Sequence, residues 1–488
     1  MSQTWATSHG LDLHLDRSLT RVRAGLESAV REAIRSGRLG PGVRLPSSRV
    51  MAADLHVARN TVAEVYTQLV AEGWLTSRHG SGTFVADRPE PAPGIRQRTH
   101  DTPPPLVHDL RAGRPDLSAF PRSAWAASYR RALSTAPGST LGYTDPRGLP
   151  ELRTALADYL ARARGVRAHP DRVVICSGFA QGLDNLAHAL HTVGAGAIAV
   201  EAYSHQRYRA IVTAAGLRTG AVPVDEHGAD IRALTGCAHL SDSGAALLTP
   251  AHQFPTGAVL SPERRRSAVA WAHRTGAVLV EDDYDGEFRY DRHPVGALQG
   301  LAPDHVAYAG TASKSLAPGL RLGWLVVPDR LLDRVIGVRE ASGQLVSALD
   351  QLALADLISS GGYDHQIRRG RLRYRWRRDA LSATIAGHAP QVRVDGVAAG
   401  LHAVLRLPSG TEERDVVAAA ARRHLSVEGL AGYADPAGLG DRRQPPALVV
   451  GYGTPADHAF TAALARLVAA LEDCQRRRQG ARALTRAC

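Results

Sequence analysis

The sequence predicts an α/β protein in two parts, a small winged helix-turn-helix followed by a large domain on a mostly parallel sheet. Two patterns support this. Up to about residue 86, three amphipathic helical segments are followed by WLTSRHGSGTFV, which alternates around a glycine-rich turn as a two-stranded wing does. From about residue 108, short β-branched segments such as RVVIC, GAIAV and GAVLV alternate with helical stretches, as in βαβ units.

These patterns place the winged helix-turn-helix at residues 14–86 and the large domain at residues 108–473. Between them, residues 87–107 are rich in proline and polar side chains and predict a semi-rigid linker. A smaller C-terminal α+β subdomain is expected from about residue 375 of the large domain. Residues 474–488 form a basic tail that we expect to be disordered.

Composition argues against several classes of protein. The N-terminal segment lacks the basic start and apolar core of a signal peptide, and no apolar run of ~18 residues predicts a membrane span. The four cysteines have neither pairing nor metal-ligand spacing, so we expect a reducing compartment and no metal site. The net charge of +12 permits nucleic-acid binding without establishing it. We expect a cytoplasmic protein, associated with the nucleoid if it binds DNA.

The third helical segment, ARNTVAEVYTQLVAEG, predicts a recognition helix, because its apolar residues recur at helical spacing. Such a helix presents its first residues to base edges in the major groove, and these are Arg59, Asn60 and Thr61. Arginine can bond bidentately to guanine, and asparagine to adenine. At the predicted wing tip, His79 and Gly80 are placed to enter the minor groove.

A small helical domain that binds protein is the alternative, and local charge does not exclude it. Through residue 90 the segment holds 11 Arg against 9 Asp plus Glu, a balance of only +2. The pattern is more specific, since the segment from SGRLGPGV to GSGTFV resembles the GntR-type winged helix over its full length. Ala63 is an arginine in some members, which leaves the base preference open. The resemblance implies a double-stranded DNA operator, contacted by Arg44 (at a phosphate), Arg49, Arg59, Asn60, Thr61, His79 and Gly80.

The large domain contains Lys314, the only lysine of the chain. The chain has 59 Lys and Arg residues in total, and the other 58 are arginine. An ε-amine can lose its proton and attack a carbonyl, which a guanidinium with a pKa above ~12 cannot do. Lys314 is therefore a candidate anchor for an aldehyde, of which pyridoxal phosphate is a common one. Composition alone leaves chance as an equal alternative, so the surrounding residues must decide.

Phosphate-binding groups surround this lysine in GTASKSLAPGLRLGW. Hydroxyls at Thr311, Ser313 and Ser315 flank it, and Arg321 follows seven residues later. Small hydroxylated residues beside an amine can hold a phosphate dianion, and an arginine can pair with it bidentately. The local sequence therefore favours a phosphorylated ligand.

Two upstream segments add an anion site and a ring partner. The strand-to-helix turn SGFAQG would aim backbone N–H groups near Ala180 and Gln181 at an anion, aided by the helix dipole. The segment GAVLVEDDYDGEF places Asp282 and Tyr284 at the carboxyl end of a strand, where open α/β sheets bind ligands. A carboxylate there can keep a pyridine nitrogen protonated.

The order of these features resembles that of the fold-type I aminotransferases over residues 110–466. The resemblance implies that Lys314 forms the internal aldimine, that Asp282 pairs with the pyridine nitrogen, and that Tyr284 lies near the ring hydroxyl. It also implies a homodimer, because the tyrosine at the position of Tyr143 reaches the phosphate of the neighbouring subunit. Joined to the GntR-type segment, the domain is similar to the MocR-type transcriptional regulators. Phosphate would be bound by Arg321, Ser313, Thr311, Ala180 and Gln181.

Two departures concern the ring of the cofactor. His205 stands where an aromatic ring usually stacks on it, within EAYSH. Phe254 replaces the asparagine of the aminotransferase NPTG segment, so His252 or Gln253 would have to supply the ring-oxygen contact.

A third departure concerns the substrate. Val449 stands where aminotransferases carry the arginine that grips the α-carboxylate. Arg207 is a candidate for binding a substrate or effector carboxylate, with an ordinary surface arginine as the equal alternative. Efficient transamination of ordinary α-amino acids is therefore not expected.

The sequence thus predicts a pyridoxal-phosphate-dependent, DNA-binding transcriptional regulator. Its effector would be the cofactor itself or an amino compound, sensed through the aldimine at Lys314. The alternative is an active aminotransferase with a DNA-binding appendage, because the catalytic minimum, Lys314 and Asp282, is present. A third interpretation is a DNA-binding protein with an inert large domain.

Overall fold

A computed structural model describes residues 4–8, 11–15, 22–87, 108–237, 240, 242–290, 295–435 and 444–487, with side chains from residue 22 to residue 476. The chain divides into two compact units, Met1–Thr102 and Pro103–Cys488. The predicted linker, apart from residue 87, lies outside the described residues. No helix among the described residues is both long and apolar enough to cross a membrane.

The first unit is a winged helix-turn-helix, as predicted. Ser47 begins the second helix, where its hydroxyl accepts a hydrogen bond from the backbone N–H of Val50. His56 ends that helix in the left-handed region, at φ 54°. The first two strands pair antiparallel, as do the last two, and the first pair precedes any element the sequence predicted. The elements are β1 (Thr4–Ser8), β2 (Leu11–Leu15), α1 (Val22–Arg35), α2 (Ser48–Leu55), α3 (Arg59–Ala71), β3 (Leu75–Arg78) and β4 (Gly82–Val85).

The second unit begins with a short strand and two helices and then builds a seven-stranded sheet. These elements are β5 (His108–Asp109), α4 (Arg122–Thr135), α5 (Pro150–Arg164), β6 (Val173–Cys176), α6 (Phe179–Thr192), β7 (Ala197–Glu201), α7 (Gln206–Ala214), β8 (Arg218–Val222), β9 (Val224–Asp225), β10 (Gly228–Ala229), α8 (Ala233–Gly236), β11 (Ser243–Leu248), α9 (Pro262–Thr275), β12 (Val278–Asp282), β13 (Val306–Thr311) and β14 (Gly323–Val326). The strand order is β6-β14-β13-β12-β11-β7-β8. Only β14 runs antiparallel to its neighbours in this sheet, so the predicted mostly parallel sheet is confirmed.

A smaller antiparallel sheet follows, in the order β15-β16-β19-β18. Its elements and the helices before and after it are α10 (Asp329–Ser342), α11 (Ala348–Ser359), α12 (Gly362–His388), β15 (Arg393–Asp395), β16 (His402–Arg406), α13 (Glu413–Ala421), β17 (Leu425–Ser426), β18 (Glu428–Gly429), β19 (Ala447–Gly451) and α14 (Asp457–Ala487). β17 pairs with β5, so the start of this unit is tied to its C-terminal subdomain. The prediction of a disordered tail from residue 474 is wrong for the backbone, since α14 continues to Ala487.

The parallel strands bring the predicted site residues to one edge of the large sheet, where carboxyl ends of strands meet. Asp282 ends β12 and lies opposite Ala309 of β13. Thr311 ends β13 and lies opposite Gly323, which in turn lies opposite Cys176 at the end of β6. The antiparallel β14 therefore joins the turn after β6 to the lysine segment after β13.

A buried ion pair between Arg164 and Asp283 connects α5 to the end of β12. The Arg164 guanidinium donates to Asp283 over 2.7 and 2.9 Å, and both side chains are almost completely buried. Tyr308 also donates to the Asp283 carboxylate, over 2.8 Å. The pair fixes the end of α5 to the residue that directly follows Asp282.

Arg164→Met should lower the free energy of unfolding by about 3–5 kcal/mol, because the Asp283 carboxylate would stay buried without its cation. Urea unfolding followed by circular dichroism measures the loss. The matched control is Arg162→Met, which removes a largely exposed pair with Asp364 at 2.9 Å and should cost less than about 1 kcal/mol. Equal losses in the two variants would contradict the role of the buried pair.

Candidate functional site

Lys314 lies just after β13, and its amine faces the beginning of the second unit. Its Nζ donates a hydrogen bond to the carbonyl oxygen of Gly113, over 2.7 Å. Burial lowers the pKa of Lys314, an effect that the charges of Asp282 and Asp285 oppose and that of Arg114 reinforces. The amine is therefore easier to deprotonate than an ordinary lysine, as a nucleophile for a carbonyl must be.

Asp282 offers an unused acceptor in the same space. One carboxyl oxygen accepts from the Tyr208 hydroxyl over 3.3 Å, whereas Oδ1 is buried and has no partner among the described residues. Burial raises the pKa of Asp282 well above its ordinary value, and the charge of Lys314 partly opposes this rise. A ligand N–H⁺ directed at Oδ1 would supply the missing partner and favour the carboxylate. The position therefore suits a protonated ring nitrogen.

An anion cradle lies at the start of α6. Gly178, at φ 79°, caps the helix, and the Gln181 side chain accepts from the backbone N–H of Ser177 over 2.5 Å. The Arg321 guanidinium donates to the Ser177 carbonyl over 2.5 Å and lies close to the open side of Gly178. Ala180 and Gln181 both belong to the first turn of α6. Free N–H groups, a helix dipole and a guanidinium thus converge, a combination that binds phosphate.

Two of the three predicted hydroxyls bond to each other at the end of β13. Thr311 and Ser313 share a hydrogen bond of 2.8 Å between their side chains, and Ser313 is partly exposed. Ser315 is buried instead and exchanges a 2.8 Å hydrogen bond with the Tyr363 hydroxyl, so it points away from the site. Local sequence could not separate the three, because the turn that follows β13 decides their directions.

His205 lies at the start of α7, where its ring stacks on Phe254 at 4.3 Å with an angle of 21°. Burial lowers the pKa of His205 to about 4, with further lowering from the charges of Lys314 and Arg207. At neutral pH the His205 side chain is therefore an uncharged imidazole ring. This is compatible with the predicted stacking on a cofactor ring, which stays a prediction.

The two candidates for the ring-oxygen contact differ in what they already bind. The Gln253 amide donates to Glu201 and to the backbone of Tyr203 and Phe254, and its oxygen accepts from Thr256. It has no capacity left for a ligand. His252 instead contacts Tyr284, since its Nδ1 lies 3.1 Å from the Tyr284 hydroxyl.

His252, Asp285 and His402 each bring a possible metal-ligand atom within 4.8 Å of the others. All three residues already make hydrogen bonds, because His252 bonds to Asp285 over 2.9 Å and His402 bonds through Nε2 to the Pro255 carbonyl over 3.1 Å. We therefore interpret the group as a hydrogen-bond network.

Two predicted residues lie on the surface of the single chain. The Tyr143 side chain is fully exposed in the single chain. Arg207 is exposed on α7 and lines a cleft of about 880 Å³ that also includes Arg414 and Glu428. Val449 is buried on β19 in an apolar cluster with Phe254 and Tyr284, so the side chain at this position cannot bind a carboxylate.

Sequence reasoning missed four residues of the site, namely Gly113, Arg114, Tyr208 and Asp285. Tyr208 was within reach of prediction, because it follows His205 by one helical turn and shares its face of α7. Gly113 and Arg114 were not, since they lie about 200 residues before Lys314.

The predicted DNA-contacting residues lie on accessible parts of the first unit. Arg59, Asn60 and Thr61 form the first turn of α3, and the first two are exposed. No described side chain caps this helix end, so its free N–H groups remain available to a phosphate. His79 and Gly80 form the exposed turn between β3 and β4. Arg44 and Arg49 are exposed as well.

Two family models match the chain. Residues 23–85 match the bacterial regulatory proteins of the gntR family. Residues 107–443 match the aminotransferases of class I and II.

Curated relatives combine both parts. The chain is 35% identical over 420 residues to the HTH-type pyridoxine biosynthesis transcriptional regulator PdxR of Corynebacterium glutamicum, covering 85% of this chain and 89% of the relative. It is 34% identical over 410 residues to the probable rhizopine catabolism regulatory protein MocR of Rhizobium meliloti, covering 80% and 82%. It is 30% identical over 449 residues to the HTH-type transcriptional regulator TauR of Rhodobacter capsulatus, covering 84% and 89%.

Solved structures match the second unit. An archaeal alanine:glyoxylate aminotransferase aligns with a TM-score of 0.67 at 24% identity, over 75% of this chain and 91% of that one. The α-aminoadipate aminotransferase LysN of Thermus thermophilus aligns with a TM-score of 0.66 at 24% identity, over 75% and 92%. These likenesses establish the fold alone.

Gly323→Ala should destabilise the cradle, because an added Cβ would lie 2.8 Å from the Gly178 Cα, which is backbone and cannot turn away. We expect a loss of about 1–3 kcal/mol in the free energy of unfolding and weaker binding of inorganic phosphate, measured by urea unfolding and calorimetry. Gly319→Ala is the control, since no described atom lies within 4 Å of a Cβ there. A Gly323→Ala protein as stable as the control would show that the packing is not tight.

Proposed function

Because the chain belongs to the MocR-type regulators, in which a GntR-family helix-turn-helix precedes an aminotransferase class I and II domain, we propose that it senses pyridoxal 5′-phosphate or an amino compound through Lys314. It is a transcriptional regulator with an aminotransferase-like domain. The observation that carries the proposal is the Asp282 Oδ1 atom, which is buried beside the only lysine of the chain and has no hydrogen-bond partner within the described structure.

The residues of the site fit pyridoxal phosphate, whose aldehyde condenses with an amine, with release of water, and whose ring then acts as an electron sink. Lys314 would provide the amine and Asp282 the acceptor for the ring nitrogen. The N-terminus of α6, with Ala180 and Gln181, would hold the phosphate together with Arg321, Thr311 and Ser313. Tyr284 would contact the ring oxygen, and His205 would cover one face of the ring.

A homodimer is part of this proposal. A fully exposed tyrosine is unusual for a single chain, and Tyr143 is 100% exposed. In a dimer it would reach the phosphate of the neighbouring subunit. Two winged helices in one dimer would then bind two half-sites of a double-stranded operator.

The hydrogen bond between Lys314 and Gly113 offers a way to report occupancy. Gly113 lies a few residues after the predicted linker ends. A lysine nitrogen bonded to the cofactor keeps at most one proton and has to turn toward the cofactor, so its 2.7 Å bond to the Gly113 carbonyl would be exchanged for contacts in the site. Occupied and empty sites would thus hold the start of the domain differently, which a ligand-driven shift requires.

Two ligands remain in competition. The name of the Corynebacterium relative, a regulator of pyridoxine biosynthesis, favours the cofactor itself as the signal and vitamin B6 synthesis as the target. The name of the Rhizobium relative refers to rhizopine catabolism, which favours an amino compound that reacts at the loaded site. The valine at position 449 supports the first choice, because no guanidinium stands there for an amino-acid carboxylate.

Lys314→Arg keeps the charge but removes the amine, so it should abolish the visible absorbance that wild-type protein shows with pyridoxal phosphate. The same variant should lose any effect of pyridoxal phosphate on binding to DNA that the wild-type protein selects from a random pool. Absorbance spectra and fluorescence anisotropy measure the two effects. Visible absorbance that persists in Lys314→Arg would contradict the proposal.

The active-enzyme alternative is tested with the same preparation. Loaded wild-type protein is incubated with a panel of amino acids and a keto acid, and formation of the new amino acid is followed. Weak or absent turnover agrees with a sensor. Robust turnover over a broad range would favour the enzyme with a DNA-binding appendage.

Arg59→Ala should weaken binding to the selected DNA by about 1–3 kcal/mol and relax the preference at one base position. Anisotropy titrations with the selected sequence and its single-base variants measure both. Arg31→Ala is the control, because it also removes one positive charge from the first unit. Arg31 lies on α1, where its guanidinium pairs with Glu72 over 2.9 Å. An unchanged base preference in Arg59→Ala would remove Arg59 from the contact surface.

A further inference from the structure

A buried histidine–aspartate pair lies behind Tyr284. His252 Nδ1 is 2.9 Å from Asp285 Oδ2 and 3.1 Å from the Tyr284 hydroxyl. His252, Asp285 and Tyr284 are 3%, 2% and 8% exposed, so water cannot substitute freely for any of these contacts. The three side chains form a buried polar group, with the His402 ring beside it.

The direction of each proton follows from the carboxylate. Asp285 can only accept while it is ionised, so His252 donates to it and carries its proton on Nδ1. Burial raises the pKa of Tyr284 well above its ordinary value, and the charges of Asp285 and Asp282 raise it further. The phenol therefore keeps its proton. That hydroxyl also lies within hydrogen-bonding reach of Asp285. The single phenol proton therefore has two possible destinations, the Asp285 carboxylate and an acceptor on a ligand.

This competition gives His252 a role. Since the His252 N–H already donates to Oδ2 of Asp285, the buried carboxylate depends less on the Tyr284 proton, which then remains available to another acceptor. Without His252, Asp285 would be a buried carboxylate whose neighbouring donor is Tyr284, and it would capture the tyrosine proton.

The C-terminal subdomain encloses the pair. A Cβ on Gly400, at φ +70°, would lie 2.3 Å from His252 Cε1 and 2.4 Å from Asp285 Oδ2, so only glycine fits over it. His402 donates from Nε2 to the Pro255 carbonyl over 3.1 Å, and its ring centroid lies 4.8 Å from that of His252. Burial lowers the pKa of His402 well below its ordinary value, helped by the nearby His252. A neutral His402 leaves the carboxylate of Asp285 to His252 and Tyr284.

We propose that His252, fixed by Asp285, is a positioning residue that keeps the Tyr284 proton directed at the ring oxygen of the cofactor. The inference rests on the proposed function, because it needs a ring oxygen beside Tyr284. It adds to that function a residue that acts through another and does not touch the cofactor itself.

The test follows the visible absorbance of the full-length protein, loaded with pyridoxal phosphate, as a function of pH. Tyr284→Phe removes the donor and should shift the pH midpoint on the order of one unit. His252→Leu should shift it in the same direction and by a similar amount. In the double variant His252→Leu/Tyr284→Phe the shift should equal that of Tyr284→Phe alone, because both changes remove the same hydrogen bond.

Two further variants separate positioning from packing. His252→Asn places its amide nitrogen almost where Nδ1 lies and should restore a midpoint near that of the wild type. His252→Gln fills a similar volume but moves the nitrogen one bond further out, so it should behave like His252→Leu. Thermal unfolding identifies any variant that has lost its fold. Among the folded variants, the comparison of His252→Asn with His252→Gln decides between a positioning role and a packing role of His252.

The outcomes distinguish this inference from its premise. Wild-type protein that gains no visible absorbance with pyridoxal phosphate would overturn the proposed function and the inference with it. A midpoint that Tyr284→Phe shifts and that His252→Leu and His252→Gln leave unchanged would overturn the inference alone. Additive shifts in the double variant would do the same, since His252 would then act without Tyr284.

Discussion

Lys314 and Asp282 share a space in which neither is well solvated, and much of the second unit serves to keep them there. Burial lowers the pKa of the amine and raises that of the carboxyl group, whereas their mutual attraction opposes both shifts. Asp282 Oδ1 also has no hydrogen-bond partner within the described structure. A cationic ring nitrogen beside Asp282 would stabilise its carboxylate form, and a carbonyl beside Lys314 would react with the amine.

The same constraint explains the hydrogen bonds around the site. The Arg321 guanidinium bonds to the Ser177 carbonyl and the Lys314 amine to the Gly113 carbonyl, so each charged group has a backbone partner that a ligand can replace. Under the proposed function, such a replacement would cost part of the binding energy and would also change the contacts of the segment that follows the predicted linker. A sensor needs such an exchange more than it needs tight binding, because only a difference in contacts between two states shifts their populations.

Much of this site was predictable from sequence. Asp282 ends a strand, and Tyr284 and Lys314 follow strand ends, whose apolar patterns are strong; parallel strands bring such ends together. Arg321 lies in the segment between Lys314 and the next strand. The winged helix-turn-helix was equally clear, because its turn residues and apolar spacing agree. Local patterns could not predict the contacts made by residues distant in the chain, such as Gly113 with Lys314.

Side-chain direction was the other limit. Gln253 and His252 are neighbours in sequence with similar chemistry, but the buried Glu201 captures the Gln253 amide and leaves His252 to face Tyr284. In the same way Ser315 turns to Tyr363 while Ser313 faces Thr311. The helix after residue 474 was missed because basic composition says little about backbone conformation.

The central claim is that covalent occupancy of one lysine is what the DNA-binding unit responds to. Borohydride reduction after incubation with pyridoxal phosphate would fix the ligand in place, and peptide mass spectrometry would locate it. We expect the label to lie on Lys314, and reduced protein to bind the selected DNA with the affinity of protein saturated with pyridoxal phosphate. A label on the N-terminal amine with Lys314 unmodified, or full labelling of Lys314 without any change in DNA affinity relative to cofactor-free protein, would contradict it.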